Sequence, residues 1–402
     1  MSGSLEVCTT PDESAARKAL VAEQRSSQPS SAPVRVPFLD LRALNLRFKE
    51  QFLAATERVL ERGWFIQGTE VGLFEQEFAT FCGSRQAIGV GNGLDAIALI
   101  LRSLIELGRL QPGDEVIVPG NTFIATALAV TQSGLRLRLV EPEHQRLNLD
   151  PVAVEAAIGP RTRVILAVHL YGRLADMPRL NDIADRHGLL LIEDAAQAHG
   201  ASLLGQRAGT WGLAAAFSLF PGKPLGALGD AGVVTTDDEA LAECIRSLGS
   251  YGSRIKYQHE RLGGNSRLDE LQAAFLRIKL EQLAEDNQAR NAIARRYCTE
   301  IDNPLVILPQ LPQAGEIHSW HLFVVRCQQR QALQDQLRRQ GIETHVHYPR
   351  PIHRQSAYAE LAELSLPRTE ALSDEVLSLP NYPGLSSAAV DSIIAACNAF
   401  RG

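Results

Sequence analysis

Between residue 36 and about residue 236, short apolar runs alternate with stretches of helical periodicity, the pattern left by β-α units stacked around a mostly parallel sheet. Residues 87–90, 115–119, 135–141, 164–169, 189–194, 215–219 and 232–236 are the runs that predict strands. Near Arg267 the period changes. Leu268, Leu271, Phe275 and Ile278 recur at three- and four-residue steps and share one face of a long helix. Beyond it, strand-like runs at 321–326 and 342–348 and helical patterns at 331–340 and 388–400 predict a small α+β domain packed on the first. The spacing divides the chain into a tail over 1–35, a large α/β domain over 36–285 and a small C-terminal domain over 286–402. The tail has too few large apolar residues to organise a core and is expected to be mobile.

Composition removes classes rather than naming one. With 45% hydrophobic and 21% charged residues over 402 positions, the chain can bury a sizeable core. A net charge of -6 gives no footprint for nucleic acid or an anionic membrane surface. The six cysteines are scattered singly, without the C-x-x-C spacing of a zinc site or redox pair, so no metal is expected and the thiols are read as reduced. No apolar run approaches the roughly 18 residues that span a bilayer, and the first thirty residues lack the blocks of a signal peptide. A cytoplasmic protein is the expectation.

In an α/β sheet, ligands bind beyond the carboxyl ends of the strands, so the residues just after each strand carry the information. Gly91-Asn92-Gly93-Leu94-Asp95-Ala96 runs into an apolar helix, and the amides of Leu94, Asp95 and Ala96 at its start would cradle a phosphate. Taken alone, such a sequence is more often a plain glycine turn. The apolar run at 189–194 ends in Glu193 and Asp194, and a carboxylate there must be paired because an isolated buried charge is prohibitively expensive. Asp194 reads either as a helix cap or as the partner of a protonated ring nitrogen, with Gln197 on the same helical face reaching a ring hydroxyl. Lys223 stands in the apolar, glycine-rich run 216–232, where burial would lower its pKa toward the neutral amine that forms Schiff bases. The alternative is a surface lysine between strands. Ser218 is placed to bond a phosphate, and Phe123, after the run at 115–119, to stack on a ring or simply to fill the core.

These residues resemble the DegT/DnrJ/StrS-type nucleotide-sugar aminotransferases, pyridoxal-phosphate (PLP) enzymes of the aspartate aminotransferase fold (fold type I). The resemblance runs from about Val36 to the C-terminus. It rests on Gly91-Asn92-Gly93-Leu94-Asp95-Ala96, Thr122-Phe123-Ile124-Ala125-Thr126, Val168-His169-Leu170-Tyr171-Gly172, Glu193-Asp194-Ala195-Ala196-Gln197-Ala198-His199-Gly200, Phe217-Ser218 with Lys223, and Asn265-Ser266-Arg267-Leu268-Asp269-Glu270. It implies an α/β large domain with a smaller α+β domain, and a homodimer with shared active sites. Lys223 would be the Schiff-base lysine and proton carrier, Asp194 the pyridinium partner and Gln197 the partner of the ring hydroxyl. Phe123 would stack on the ring, Gly93, Leu94, Asp95 and Ser218 would hold the phosphate, and Asn265 would reach the phosphate of the other subunit. Some members carry His in place of this lysine and act as sugar dehydratases, which Lys223 argues against. Pro224 stands where Asn is usual after the lysine, and Leu213 where Asp is frequent.

The motif His347-Tyr348-Pro349-Arg350-Pro351-Ile352-His353-Arg354-Gln355 looks like the branch that aminates C3 of a dTDP-linked 3-keto-6-deoxyhexose. His321, His347 and Tyr348 are the substrate contacts this resemblance implies, with glutamate as amino donor. A 4-keto-sugar or a UDP-linked sugar is the alternative substrate. A PLP enzyme of another reaction type and a catalytically silent binding or regulatory relative are the readings from other classes, since fold does not fix chemistry.

Overall fold

The computed structural model describes residues 36–402, and the predicted tail at 1–35 lies outside the described residues. Seven strands form the main sheet: β1 (Gln86–Val90), β2 (Glu115–Pro119), β3 (Arg136–Val140), β4 (Thr162–Val168), β5 (Leu190–Asp194), β6 (Ala214–Ser218) and β7 (Gly232–Thr236). Their order is β1-β7-β6-β5-β4-β2-β3. All neighbours are parallel except at β7, which runs antiparallel to both β1 and β6. This is a mostly parallel mixed sheet of an α/β fold. Each apolar run becomes a strand because both sheet faces are covered. One face packs on a cluster containing Phe74, Phe78, Ile165, Phe217 and Leu276, the other on Ile100, Leu104, Val118, Leu166 and Ile245.

Three helices line the site, and a fourth packs away from it. α1 (Gly93–Glu106) follows β1, α2 (Ile124–Gln132) follows β2, α3 (Glu270–Glu300) comes well after β7, and α4 (Ser387–Asn398) is the last helix. Leu271, Phe275 and Ile278 of α3 lie together against Ala55 and Val59, as their spacing predicts. The 31 residues of α3 run unbroken through position 285. Its C-terminal half joins Tyr297 to a separate core of Trp320, Phe323, Leu337, Leu377 and Ile393.

One predicted strand differs. Residues 342–348 read as a strand, yet they pair only through isolated bridges, Ile342 with Val36 and His345 with Ser378. The partner of β8 (Phe323–Arg326) is instead β9 (Val376–Leu379). The 342–348 segment meets the sheet edge only at His345, which exchanges backbone hydrogen bonds with Ser378 at 3.3 and 2.8 Å. His347 and Tyr348 are thereby left free of a ladder and line the cavity described below.

Candidate active site

Strand alternation separates the two carboxylates at the end of β5. Glu193, fully buried, accepts hydrogen bonds from the amides of Gly209, Trp211 and Gly212 at 2.8–2.9 Å and lies 2.9 Å from His169 Nε2. It is a structural pin for the loop that leads into β6. Asp194 faces a cavity of about 630 Å³ beyond the strand ends. Its Oδ2 accepts from Thr126 Oγ1 at 2.7 Å and its Oδ1 from the Ala196 amide at 3.2 Å. Burial raises the Asp194 pKa, against the lowering effect of those two donors and of Lys223. A buried carboxylate held in place yet short of a cation suits a positively charged ring nitrogen.

The predicted helix after Asp194 does not form. The Ala196 amide turns back to the Asp194 side chain, and Gly200 takes φ +78°, so residues 195–200 make successive tight turns. Gln197 is fixed within them. Its Oε1 accepts from the Tyr171 amide at 2.7 Å, and its Nε2 donates to Tyr348 Oη at 3.2 Å, leaving one of two Nε2 hydrogens for a ligand. Tyr171 itself sits in the left-handed region at φ +61°, which aims its amide at Gln197, and its hydroxyl donates to the His347 carbonyl at 2.6 Å.

At the other end of the cavity lies the start of α1. Asn92 caps it, its side chain accepting from the Asp95 amide at 2.8 Å, while the Ala96 amide bonds the Asn92 carbonyl. The predicted cradle therefore shrinks to Gly93 and Leu94. A Cβ on Gly93 would meet Ser218 Cβ at 2.6 Å, so only glycine lets the helix start lie against Ser218. Asp95 is not a phosphate ligand in this geometry: its amide is capped and its carboxylate accepts from Ser266 Oγ at 2.6 Å, outside the cavity lining. Ser266 also accepts from the Gly91 amide at 2.9 Å and so braces the turn from within the same chain.

Lys223 lies in a loop that folds tightly upon itself, since a Cβ on Gly226 would meet the Pro221 carbonyl at 2.3 Å. Gln272 and Lys279 of α3 tie this loop down through Leu228 N and Gly226 O. Pro224 is buried, and the Lys223 amide closes a turn onto Phe220 O at 2.8 Å. Lys223 is half-buried in the cavity wall, and burial brings its ammonium down to about 8 against the opposing pull of Asp194. Phe123, half exposed, lies over the opening with its ring 5.1 Å from that of Tyr348. His347, bonded to Ser378 Oγ at 2.8 Å, is pushed down to about 4 by burial, and His321 also falls well below its ordinary value for the same reason. Both are neutral near pH 7.

The model of the DegT/DnrJ/EryC1/StrS aminotransferase family matches residues 47–398. The chain belongs to that family. It is 52% identical over 368 residues to the erythromycin biosynthesis sensory transduction protein EryC1 of Saccharopolyspora erythraea, covering 90% of this chain and 99% of that protein. It is 49% identical over 365 residues to the dTDP-3-amino-3,6-dideoxy-alpha-D-galactopyranose transaminase of Aneurinibacillus thermoaerophilus, covering 91% and 99%. The crystal structure of S. venezuelae DesV in complex with a ketimine intermediate superposes with a TM-score of 0.87 at 48% identity, over 91% of this chain and 98% of that one. The protein is thus a sugar aminotransferase of the PLP-dependent type.

In this aminotransferase Lys223, Asp194, Gln197, Phe123, Ser218, Gly93, Leu94, His321, His347 and Tyr348 all line one cavity. Asn265 does not. It is exposed, bridges to Ser250 and precedes the α3 cap, Asp269, by four positions, so it is not that helix's cap. Thr126 and Arg290 are among the lining residues that carried no assignment from the sequence. Thr126 stands in a quoted motif, but only the fold brings it to Asp194, 68 positions away. Arg290 is one arginine among several on a long helix, and its burial against the cavity has no sequence signal.

Proposed function

We propose that this aminotransferase moves an amino group from glutamate to C3 of a dTDP-linked 3-keto-6-deoxyhexose, working as a homodimer. The observation that carries the reading is a lysine of lowered pKa and a braced buried carboxylate facing one cavity. The sugar follows from the 49% identity to the Aneurinibacillus transaminase over nearly its whole length. PLP, when bound, supplies an aldehyde that accepts amines and a protonated ring that delocalises negative charge. The chain does the rest. Asp194 would hold the proton on the ring nitrogen, and Thr126 keeps that carboxylate oriented. Gly93, Leu94 and Ser218 would offer neutral donors to the phosphate, and Phe123 would cover the ring face. Lys223 Nζ takes the proton from the donor carbon and returns it in the sugar half-reaction. Asn265, exposed and outside the lining of its own cavity, would serve the partner's site.

Purified enzyme incubated with glutamate and a panel of keto-sugars, dTDP- and UDP-linked, 3-keto and 4-keto, tests the reading by product mass. Amination of the dTDP-linked 3-keto-sugar at a rate well above the others is expected. A preference for any other member of the panel overturns the substrate assignment.

A further inference from the structure

A second cavity, of about 260 Å³, lies where the loop after β3, the turn at 170–173 and β8 meet. Strand alternation sends Phe323 and Val325 into the core that holds Leu337 and Ile393, and leaves Leu322, Val324 and Arg326 to line this cavity. Residues 307–310 close one side, Ile307 and Arg326 exchanging backbone hydrogen bonds at 2.8 and 2.9 Å. Among the described residues that line it there is no aspartate or glutamate, whereas Arg146, Arg173 and Arg326 all do. None of these arginines lines the active-site cavity.

Arg173 is satisfied. Its guanidinium grips Glu316 through two bonds of 2.7 Å and donates to the Gln310 carbonyl at 3.1 Å. Arg146 and Arg326 are not. Arg146 stands 3.9 Å from Glu316, which Arg173 and the Gln313 amide already occupy, and Arg326 stands 3.9 Å from Glu375, both beyond hydrogen-bond range. Their side chains are only 26% and 17% exposed, so water solvates them in part. A third donor is unmet: Trp320 Nε1 is buried without a hydrogen-bond partner, on a residue 1% exposed. A buried indole N–H ordinarily finds an acceptor.

Trp320 is held in this wall at a conformational cost. Its φ is +49°, in the left-handed region that a bulky residue rarely adopts. Its amide donates to His318 Nδ1 at 2.9 Å, and its indole stacks on that imidazole with the ring centroids 3.8 Å apart. The rest of the wall is largely apolar, with Leu147, Leu170, Ile307, Leu322 and Val324. Less than half the volume of the active-site cavity, and below the roughly 300–1,000 Å³ of drug-sized pockets, the space takes a small molecule rather than a nucleotide sugar. We propose that this cavity is a second, non-catalytic site for a small organic oxyanion, a carboxylate or phosphate carried on a flat apolar body. Arg146 and Arg326 pair with the oxyanion, Trp320 Nε1 supplies a neutral donor, and the apolar wall takes the body.

The PLP-loaded enzyme, its three tryptophans replaced by fluorotryptophan, is titrated with benzoate and with phenyl phosphate by fluorine NMR. Trp64→Phe and Trp211→Phe assign the remaining signal to Trp320. A saturable shift of that signal by benzoate or phenyl phosphate is expected, and the tighter of the two identifies the head group. Benzamide, of nearly the same shape but neutral, should bind about tenfold more weakly than benzoate or worse. Arg146→Gln and Arg326→Gln should each weaken the tighter probe about tenfold or more, and Arg146→Lys should recover part of the loss. Either glutamine variant suffices if the other does not fold. No saturable shift with either probe would overturn the proposal. So would benzamide binding as tightly as the anions, or equal anion affinity in wild type and the folded glutamine variants, which would place the probe in the active-site cavity instead.

Discussion

Replacing Thr126 by Val removes the hydroxyl that Asp194 Oδ2 accepts from at 2.7 Å, while keeping nearly the same side-chain shape at a site 1% exposed. The hydroxyl acts against burial, which already raises the Asp194 pKa, so its loss raises that pKa further. A hydrogen bond to a charged group is worth about 1.5–3 kcal/mol, which at about 1.4 kcal/mol per pKa unit is about one to two units. Asp194 then holds the ring proton less firmly, and the charge that develops on the donor carbon is less well delocalised. The single-turnover rate with glutamate, followed by stopped-flow loss of the cofactor's visible band, should fall about 10- to 100-fold. Thr126→Ser should restore most of it. Thr126 also lies 3.1 Å from Thr122 Oγ1, so a small loss of stability accompanies the change and is read separately by thermal unfolding. A rate within twofold of wild type, at full cofactor content, would refute the role of the Thr126–Asp194 bond.

Gly93→Ala should weaken PLP binding about tenfold or more, because its Cβ would displace the helix start from Ser218, whereas Gly72→Ala, with open space around it, should leave cofactor affinity unchanged in the same equilibrium titration. Uptake of PLP by cofactor-free enzyme needs the neutral amine, so its rate should rise with pH through about 8 and level off above it; a rate still climbing near pH 10 would mean that Lys223 titrates as an ordinary lysine. Lys223→Ala and Asn265→Ala subunits combined in one dimer should regain part of the wild-type activity by forming one intact site, while activity equal to the parents' average after verified exchange would place Asn265 within its own chain.

The sheet was legible because its strands are short apolar runs, or at β3 an alternation of arginine and leucine, closed by a turn or a helix start, and the seven runs sit within two residues of the observed strands. The pairing of the C-terminal strands was not. Val376–Leu379 is four residues long with Ser378 inside it and directly follows a helix, so it has neither length nor alternation to announce a strand. The segment 342–348 reads as a strand but lacks a ladder partner. In the site, Lys223, Asp194, Gln197 and Ser218 stood out through motif and position after strands. Asp95 looked like a phosphate ligand because a helix start offers free amides; the capping side chain of Asn92, three residues earlier, takes that amide. Thr126 and Arg290 depend on contacts made across the fold, which spacing along the chain does not encode.

Glutamate labelled with ¹⁵N at its amine, incubated with the PLP-loaded enzyme and a dTDP-linked 3-keto-6-deoxyhexose, tests the central claim most directly. The account predicts ¹⁵N bonded to C3 of the product sugar by NMR, one equivalent of 2-oxoglutarate formed, and neither product with Lys223→Ala. Label at another carbon, ammonia or carbon dioxide released in place of the amino-sugar, or undiminished transfer by Lys223→Ala would contradict it.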